Sequence, residues 1–300
     1  MSERSGGRSG NDIGVGFIGL GNIGAPMAER LLDWPGGLVV CDMRPEALEK
    51  FVARGAKAAA SAAEVAEQAE VISIVVVDDE QVRSVVAGPD GILSTARPGT
   101  VVAVHSTISD TTAVDLAGEC ASRGVELVDA PISGGAGGAK QGNLAIMVGG
   151  TEAAYEKVRE PFGRFAGLVV HAGEVGAGTR MKLARNLLHF VSFTAAAEAQ
   201  RLAEAAGLDI TDLGKVVRHS DAITGGAGAI MLRDTTAPVA EDDFWHSILT
   251  HVRGLGEKDL ALALAVGDRL EVPLPFARLA LQGLGTGLGV GPGDIAKEQA

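Results

Sequence analysis

The chain has 300 residues, 46% of them hydrophobic, which is enough for one large or two ordinary domains with real cores. A formal net charge of −12 argues against nucleic acid or an anionic membrane surface as a partner. Two cysteines, Cys41 and Cys120, form no disulfide framework, and with six histidines they offer no metal-ligand spacing, so no metal is expected.

Residues 1–12 are polar and rich in Gly and Ser, without the apolar segment of a signal peptide, and read as a disordered tail. Short β-rich runs then alternate with helical patterns. Val15–Ile18 is a predicted strand followed by a helix over Asn22–Leu32. Leu38–Cys41 is a strand followed by a helix over Pro45–Arg54. Val71–Val77 is almost wholly apolar and β-branched, as a strand buried on both faces should be, and too short to span a bilayer. Val101–Val104 and Leu127–Val128 are further strands, with a helix over Asp110–Arg123 between them. Leu144–Val148 and Leu168–Val170 flank a helix over Glu152–Phe165. This alternation predicts an α/β Rossmann domain, doubly wound around a mostly parallel sheet, over residues 13–173. Beyond it the strands stop, and residues 174–300 read as an all-helical domain with helices over Thr211–His219, His246–Leu255, Glu257–Leu270 and Phe276–Leu284. A cytoplasmic location is expected.

The first chemical signal follows the first strand. Gly19, Leu20, Gly21, Asn22, Ile23 and Gly24 form a G-x-G-x-x-G that leaves a strand and opens a helix. In that frame Gly19 makes the turn, Gly21 lets the backbone approach a pyrophosphate, and Gly24 allows close helix–strand packing. The helix N-terminus then offers free N–H groups to phosphate. Asp42 ends the second strand, where a carboxylate accepts ribose hydroxyls and repels a 2′-phosphate. NAD is therefore the expected cofactor, with NADP possible because Arg44 stands two residues on.

A second glycine cluster, Ser133 to Gly138, lies between two strands and reads as a loop whose backbone N–H groups can form an anion-binding nest for a small carboxylate. From Thr179 to Ala206 the chain then contains neither Gly nor Pro, against 42 Gly and 11 Pro overall. Such a helix would run about 42 Å. Its first half is largely apolar, but Lys182, Arg185, Asn186 and His189 follow the spacing i, i+3, i+4, i+7 and share one narrow face. The pattern fits a helix packed on most sides with one polar seam facing a cleft.

Four segments, GFIGLGNIGAPMAERL, DAPISGGAGGAKQGNLAIMVGG, GAGTRMKLARN and EKDLALA, resemble the β-hydroxyacid dehydrogenase family, which is related to 6-phosphogluconate dehydrogenase, and stand in its order. The resemblance implies a Rossmann domain, a long interdomain helix and a helical domain that mediates assembly into a homodimer or homotetramer. It implies NAD(P)-dependent oxidation of a small β-hydroxy acid such as 3-hydroxyisobutyrate, or reduction of its semialdehyde. On it, Lys182 matches the catalytic lysine and Asn186 its partner. Ser133, Gly134 and Gly135 match the substrate-carboxylate segment. Thr107 matches a residue beside the nicotinamide and Lys258 a lysine near the cofactor, while Val76 and Val77 stand at a cofactor-lining position where the family has Leu-Pro. Arg185 replaces a second Asn of the family pattern, and residues 246–254 depart from its apolar pattern. Two other readings are an imine reductase of the same fold, a branch that typically lacks the lysine, and a non-catalytic NAD(P)-binding protein, against which the set Lys182, Asn186 and Ser133 argues.

Overall fold

The computed structural model describes residues 13–231 and 233–294; the predicted tail, residues 1–12, lies outside them. The chain divides into two compact units, residues 1–185 and 186–300.

The first unit follows the order β1 (Val15–Ile18), α1 (Gly24–Glu29), β2 (Leu38–Cys41), α2 (Pro45–Val52), β3 (Lys57–Ala58), α3 (Ala62–Gln68), β4 (Val71–Ile74) and α4 (Asp79–Ala87). It continues with β5 (Val101–Val104), α5 (Asp110–Ala121), β6 (Glu126–Asp129), β7 (Ile132–Ser133), α6 (Gly135–Gln141), β8 (Leu144–Gly149), α7 (Glu152–Phe162) and β9 (Ala166–Gly173). The strands form one sheet in the order β3-β2-β1-β4-β5-β6-β8-β7, with β9 on β8. From β3 to β6 every pairing is parallel. This is the doubly wound order, and it reverses direction between β1 and β4, the topological switch point at whose carboxyl edge ligands bind. Only β8 breaks the parallel run, pairing antiparallel with β6 and β7.

Period-2 alternation sends neighbouring side chains to opposite faces. Phe17 joins Met27, Trp34, Phe51, Phe162 and Phe165 on one side. Ile18 joins Val65, Ile72, Ile74, Val82 and Leu116 on the other. Local capping explains two helices that apolar periodicity does not reveal. Ser61 Oγ accepts from Glu64 N while the Glu64 carboxylate accepts from Ala60 N, starting α3. Asp78 accepts from Gln81 N and starts α4.

Two expectations for the first unit are not met. The glycine cluster at 133–138 is not a loop: Ser133 pairs with Ala145 in β7, and Gly135 begins α6. Gly134 and Gly135 have φ of +125° and +61°, so glycine's freedom lets the chain turn from strand into helix within two residues. The predicted strand over Val71–Val77 ends at Ile74, and Val75–Val77 belong to the turn that follows β4.

The 29-residue helix α8 (Ala177–Ala205) runs across the boundary between the units, ending before Gly207 at φ +75°. In the second unit follow α9 (Ile210–Thr224), α10 (Phe244–Arg269) and α11 (Pro275–Gly287). The two helices predicted on either side of Gly256 are one. α11 explains why glycine is tolerated inside α10: a Cβ on Gly256 would reach the Leu284 side chain at 2.5 Å, so the contact between the helices replaces the missing side chain. Glu198 of α8 accepts from Phe276 N and Ala277 N at 2.9 and 3.1 Å and caps α11.

Candidate active site

The carboxyl edge of β1, β2, β4 and β5 gathers the first group of predicted site residues. Gly19 turns at φ +94°, and its N–H donates to Cys41 O at 2.9 Å. A Cβ on Gly19 would overlap the Val75 carbonyl, and one on Gly24 would overlap the Gly19 carbonyl. Both glycines are thus fixed by backbone packing. Gly21 differs: a Cβ there would meet no protein atom within 4 Å. Its glycine has no explanation in protein packing, and it sits where the dinucleotide fingerprint brings backbone close to a pyrophosphate. The loop therefore fits a dinucleotide.

Asp42 lies beside this loop. Its Oδ2 accepts from Leu20 N at 2.6 Å, and its Oδ1 accepts from Arg44 N at 2.9 Å and Arg44 Nε at 3.0 Å. Arg44 Nη2 also donates to Leu20 O at 3.1 Å. Burial disfavours the charged form of Asp42, but the bonds from the Arg44 side chain, the Arg44 backbone and Leu20 together outweigh it and hold the carboxyl below its usual range. Arg44 is thus tied to the acid that sequence reasoning set against it.

Ser106, a residue sequence reasoning passed over, joins the next two loops. Its Oγ donates to Val76 O at 2.7 Å and accepts from Val76 N at 3.0 Å. This pair fixes the turn of Val76 and Val77 to the segment carrying Thr107. Thr107 itself is exposed, as is Val77. Asn22 is exposed and Ile23 half-buried on the glycine loop.

Ser133 is half-buried, and Gly134 and Gly135 are exposed at the start of α6. Four residues before Ser133 stands Asp129, fully buried at the end of β6. Its carboxylate accepts from Gly176 N at 2.7 Å, just before α8, and from Thr179 N at 2.6 Å, in the helix's first turn. Burial pushes its carboxyl up from the usual range, against those two N–H groups, which favour the charged form.

Lys182, one turn on, is 8% exposed. Burial first, and the Arg185 guanidinium second, pull its pKa below the ordinary lysine value. Asn186 and His189 are half-buried, and the His189 ring lies 4.3 Å from that of Phe193. The expectation of packed apolar residues around an open polar seam is met only at Arg185, which is exposed. Leu187, Phe190 and Phe193 are 69%, 60% and 58% exposed, and Lys182 is buried. Lys258, in the second unit, is exposed and pairs with Asp259 at 3.0 Å. Among the described residues no cluster of His, Cys, Asp and Glu could hold a metal, and no helix is long and apolar enough to cross a membrane.

The fold and the glycine loop define an NAD(P)-binding oxidoreductase. Residues 14–173 match the NAD binding domain of 6-phosphogluconate dehydrogenase, and residues 176–295 match the NAD-binding domain of NADP-dependent 3-hydroxyisobutyrate dehydrogenase. The chain belongs to the β-hydroxyacid dehydrogenase family. It is 63% identical over 276 residues to an uncharacterised oxidoreductase of Mycobacterium tuberculosis, covering 92% of this chain and 93% of that protein. It is 35% identical to 3-hydroxyisobutyrate dehydrogenase of Pseudomonas aeruginosa, with 89% of each covered. Among solved structures, Mycobacterium tuberculosis 3-hydroxyisobutyrate dehydrogenase with L-serine is 32% identical at a TM-score of 0.64, covering 91% of this chain and 92% of that one.

Proposed function

We propose that the protein oxidises a small β-hydroxy acid to its semialdehyde, or runs the reverse reaction, with Lys182 as the proton-transfer group. Lys182 itself is the observation that supports this most: a lysine with 8% exposure on a helix whose Leu187, Phe190 and Phe193 are exposed. A buried lysine with a lowered pKa is better suited than an ordinary lysine to accept a hydroxyl proton. The bound nicotinamide supplies or accepts the hydride. Ser133, Gly134 and Gly135 hold the substrate carboxylate through the serine hydroxyl and backbone N–H groups. Asn186, one turn along from Lys182, orients the reacting oxygen or the lysine by hydrogen bonds. Gly19 to Gly24 cradle the pyrophosphate, Asp42 takes the ribose hydroxyls, and Val76, Val77 and Thr107 line the cofactor, with Lys258 as a further cofactor contact.

The substrate class is tested by a panel of small hydroxy acids, L-serine and 3-hydroxyisobutyrate among them, each with NAD and NADP and compared with cyclic imines. Turnover of a β-hydroxy acid is expected. Activity confined to imines would overturn the reading.

NAD is the preferred cofactor in this proposal. A 2′-phosphate would place its charge against the Asp42 carboxylate, and Arg44, the nearby cation, is already bonded to that carboxylate. NADH should bind at least about tenfold more tightly than NADPH, the discrimination expected when a site built to hydrogen-bond one group is offered another. Asp42→Ala should narrow the gap by freeing Arg44. Fluorescence titration of both nucleotides checks this, and tighter NADPH binding by the wild type would contradict it.

The exposed apolar face of α8 and the absence of any buried residue on α9 support an assembly of at least two copies. Light scattering at micromolar concentration should give twice the chain mass or more. A stable monomer there would refute it.

A further inference from the structure

We infer that Asp129 is a positioning residue for the reaction: its buried carboxylate, by capping the start of α8, fixes where Lys182 stands relative to the Ser133–Gly135 segment. The inference rests on the reading of Lys182 as the proton-transfer group.

The start of α8 lacks a cap of its own. The residues entering it are Val175 and Gly176, neither with a side-chain acceptor, yet the first N–H groups of any helix need one. Asp129 supplies both acceptors from 47 and 50 residues away, through Gly176 N and Thr179 N. These are the kinds of donor a local cap would satisfy, and hydrogen bonds to a charged acceptor are the stronger ones.

Backbone packing sets the same turn from the other side. A Cβ on Gly178 would overlap the Met147 carbonyl and lie 2.6 Å from that of Asp129. A Cβ on Gly149 would overlap Asp129 Oδ1 and come within 2.8 Å of Gly178 N. Two glycines thus let the first helical turn seat directly on the ends of β6 and β8. Lys182 follows Gly178 by four residues and lies on the same helical face. Ser133 follows Asp129 by four residues through Pro131 and β7. One carboxylate therefore ties together the starts of both segments proposed to act on substrate. The placement of this cap between them bears on catalysis as well as on the fold, because misplacing a reacting group by about 1 Å can cost on the order of 10²-fold in rate.

The test uses full-length wild type, Asp129→Asn, Lys182→Ala and the double variant. Asparagine keeps the shape and one acceptor but turns an N–H₂ toward one of the two donors. Three readouts are taken: kcat and KM with L-serine and 3-hydroxyisobutyrate, NADH affinity, and the pH midpoint for amine labelling of Lys182 in cofactor-free protein, read by mass spectrometry. Asp129→Asn should lower kcat by about tenfold or more while KM and NADH affinity stay within roughly threefold. The double variant should be no slower than Lys182→Ala, since Asp129 acts through the lysine. The labelling midpoint should rise toward that of an ordinary lysine as the first turn loosens. An unchanged kcat, a parallel loss of kcat and NADH affinity, or a multiplicative double variant would each overturn the proposal. If Lys182→Ala keeps wild-type turnover, the lysine reading falls by itself, and an unshifted midpoint in Asp129→Asn is then what overturns the placement by Asp129. Should Asp129→Asn not fold, Asp129→Glu, which moves both acceptors by one methylene, is measured by labelling instead, and an unshifted midpoint there refutes the inference.

Discussion

Lys182→Ala should abolish nearly all turnover and leave the fold and the cofactor affinity intact. A positioned general acid or base contributes about 10²–10⁴-fold to rate, or roughly 3–5 kcal/mol of barrier. The truncation removes the packing of a buried methylene stem but also the cost of burying the amine, so the two effects oppose each other and unfolding midpoints should move only slightly. The glycine loop lies on β1 and α1, separate from α8, so NADH should bind to the variant about as well as to wild type. The pH dependence follows from the direction of the lysine's shift. Oxidation of an alcohol needs neutral Lys182 to accept the proton. The rate in that direction should therefore rise with pH and level off at a pKa below the ordinary lysine value, because burial and then Arg185 disfavour the charged form. Reduction needs the protonated form and should fall over the same range. Removing the second cause with Arg185→Gln should move both limbs to higher pH. Turnover by Lys182→Ala within about threefold of wild type would make the lysine a bystander. His189, further along the same face, would then be the residue to test.

The Rossmann half was legible in the sequence because its signals are local. Val15–Ile18, Leu38–Cys41 and Val101–Val104 were read to the residue, since a parallel strand buried on both faces is a continuous apolar run bounded by turn residues. The glycine loop was legible because a strand, a turn and a helix stand in the order its chemistry needs. Other features depended on partners distant in the chain. α3 and α4 are short, and their start signals, Ser61 with Glu64 and Asp78 with Gln81, were weak beside the apolar runs. Gly256 read as a helix breaker because the sequence does not display Leu284 packed against it. The glycines at 134–138 read as loop because propensity disfavours them in helices, whereas the turn from β7 and the packing of Ala139 against the core hold α6 in place. Asp129 could have been noticed as the acid that precedes Ala130 and Pro131, but its role depends on Gly176 and Thr179, and no spacing rule links those positions. The seam of Lys182, Arg185, Asn186 and His189 was visible, but which side of the helix would be buried was not.

Gly24→Ala and Gly21→Ala should separate the two uses of glycine in the nucleotide loop. A methyl at Gly24 would overlap the Gly19 carbonyl and lie 3.3 Å from Val75 Cβ, so backbone must move. Overpacking of this kind typically costs about 1–3 kcal/mol, and here the displaced backbone is the turn itself. Gly24→Ala should therefore lower both the unfolding midpoint and NADH affinity. A methyl at Gly21 meets no protein atom within 4 Å, so stability should change by less than about 0.5 kcal/mol. Its N–H and open flank lie where the dinucleotide fingerprint places the pyrophosphate, and a methyl there would hold the phosphates off the helix N-terminus. Gly21→Ala should consequently keep the wild-type unfolding midpoint and bind NADH more weakly by about tenfold or more, a loss of at least roughly 1.4 kcal/mol. Thermal unfolding and fluorescence titration on the two variants decide the matter. Wild-type NADH affinity in Gly21→Ala would mean that the pyrophosphate does not cross Gly21, and the assignment of the loop would have to be redrawn around Asn22 and Ile23.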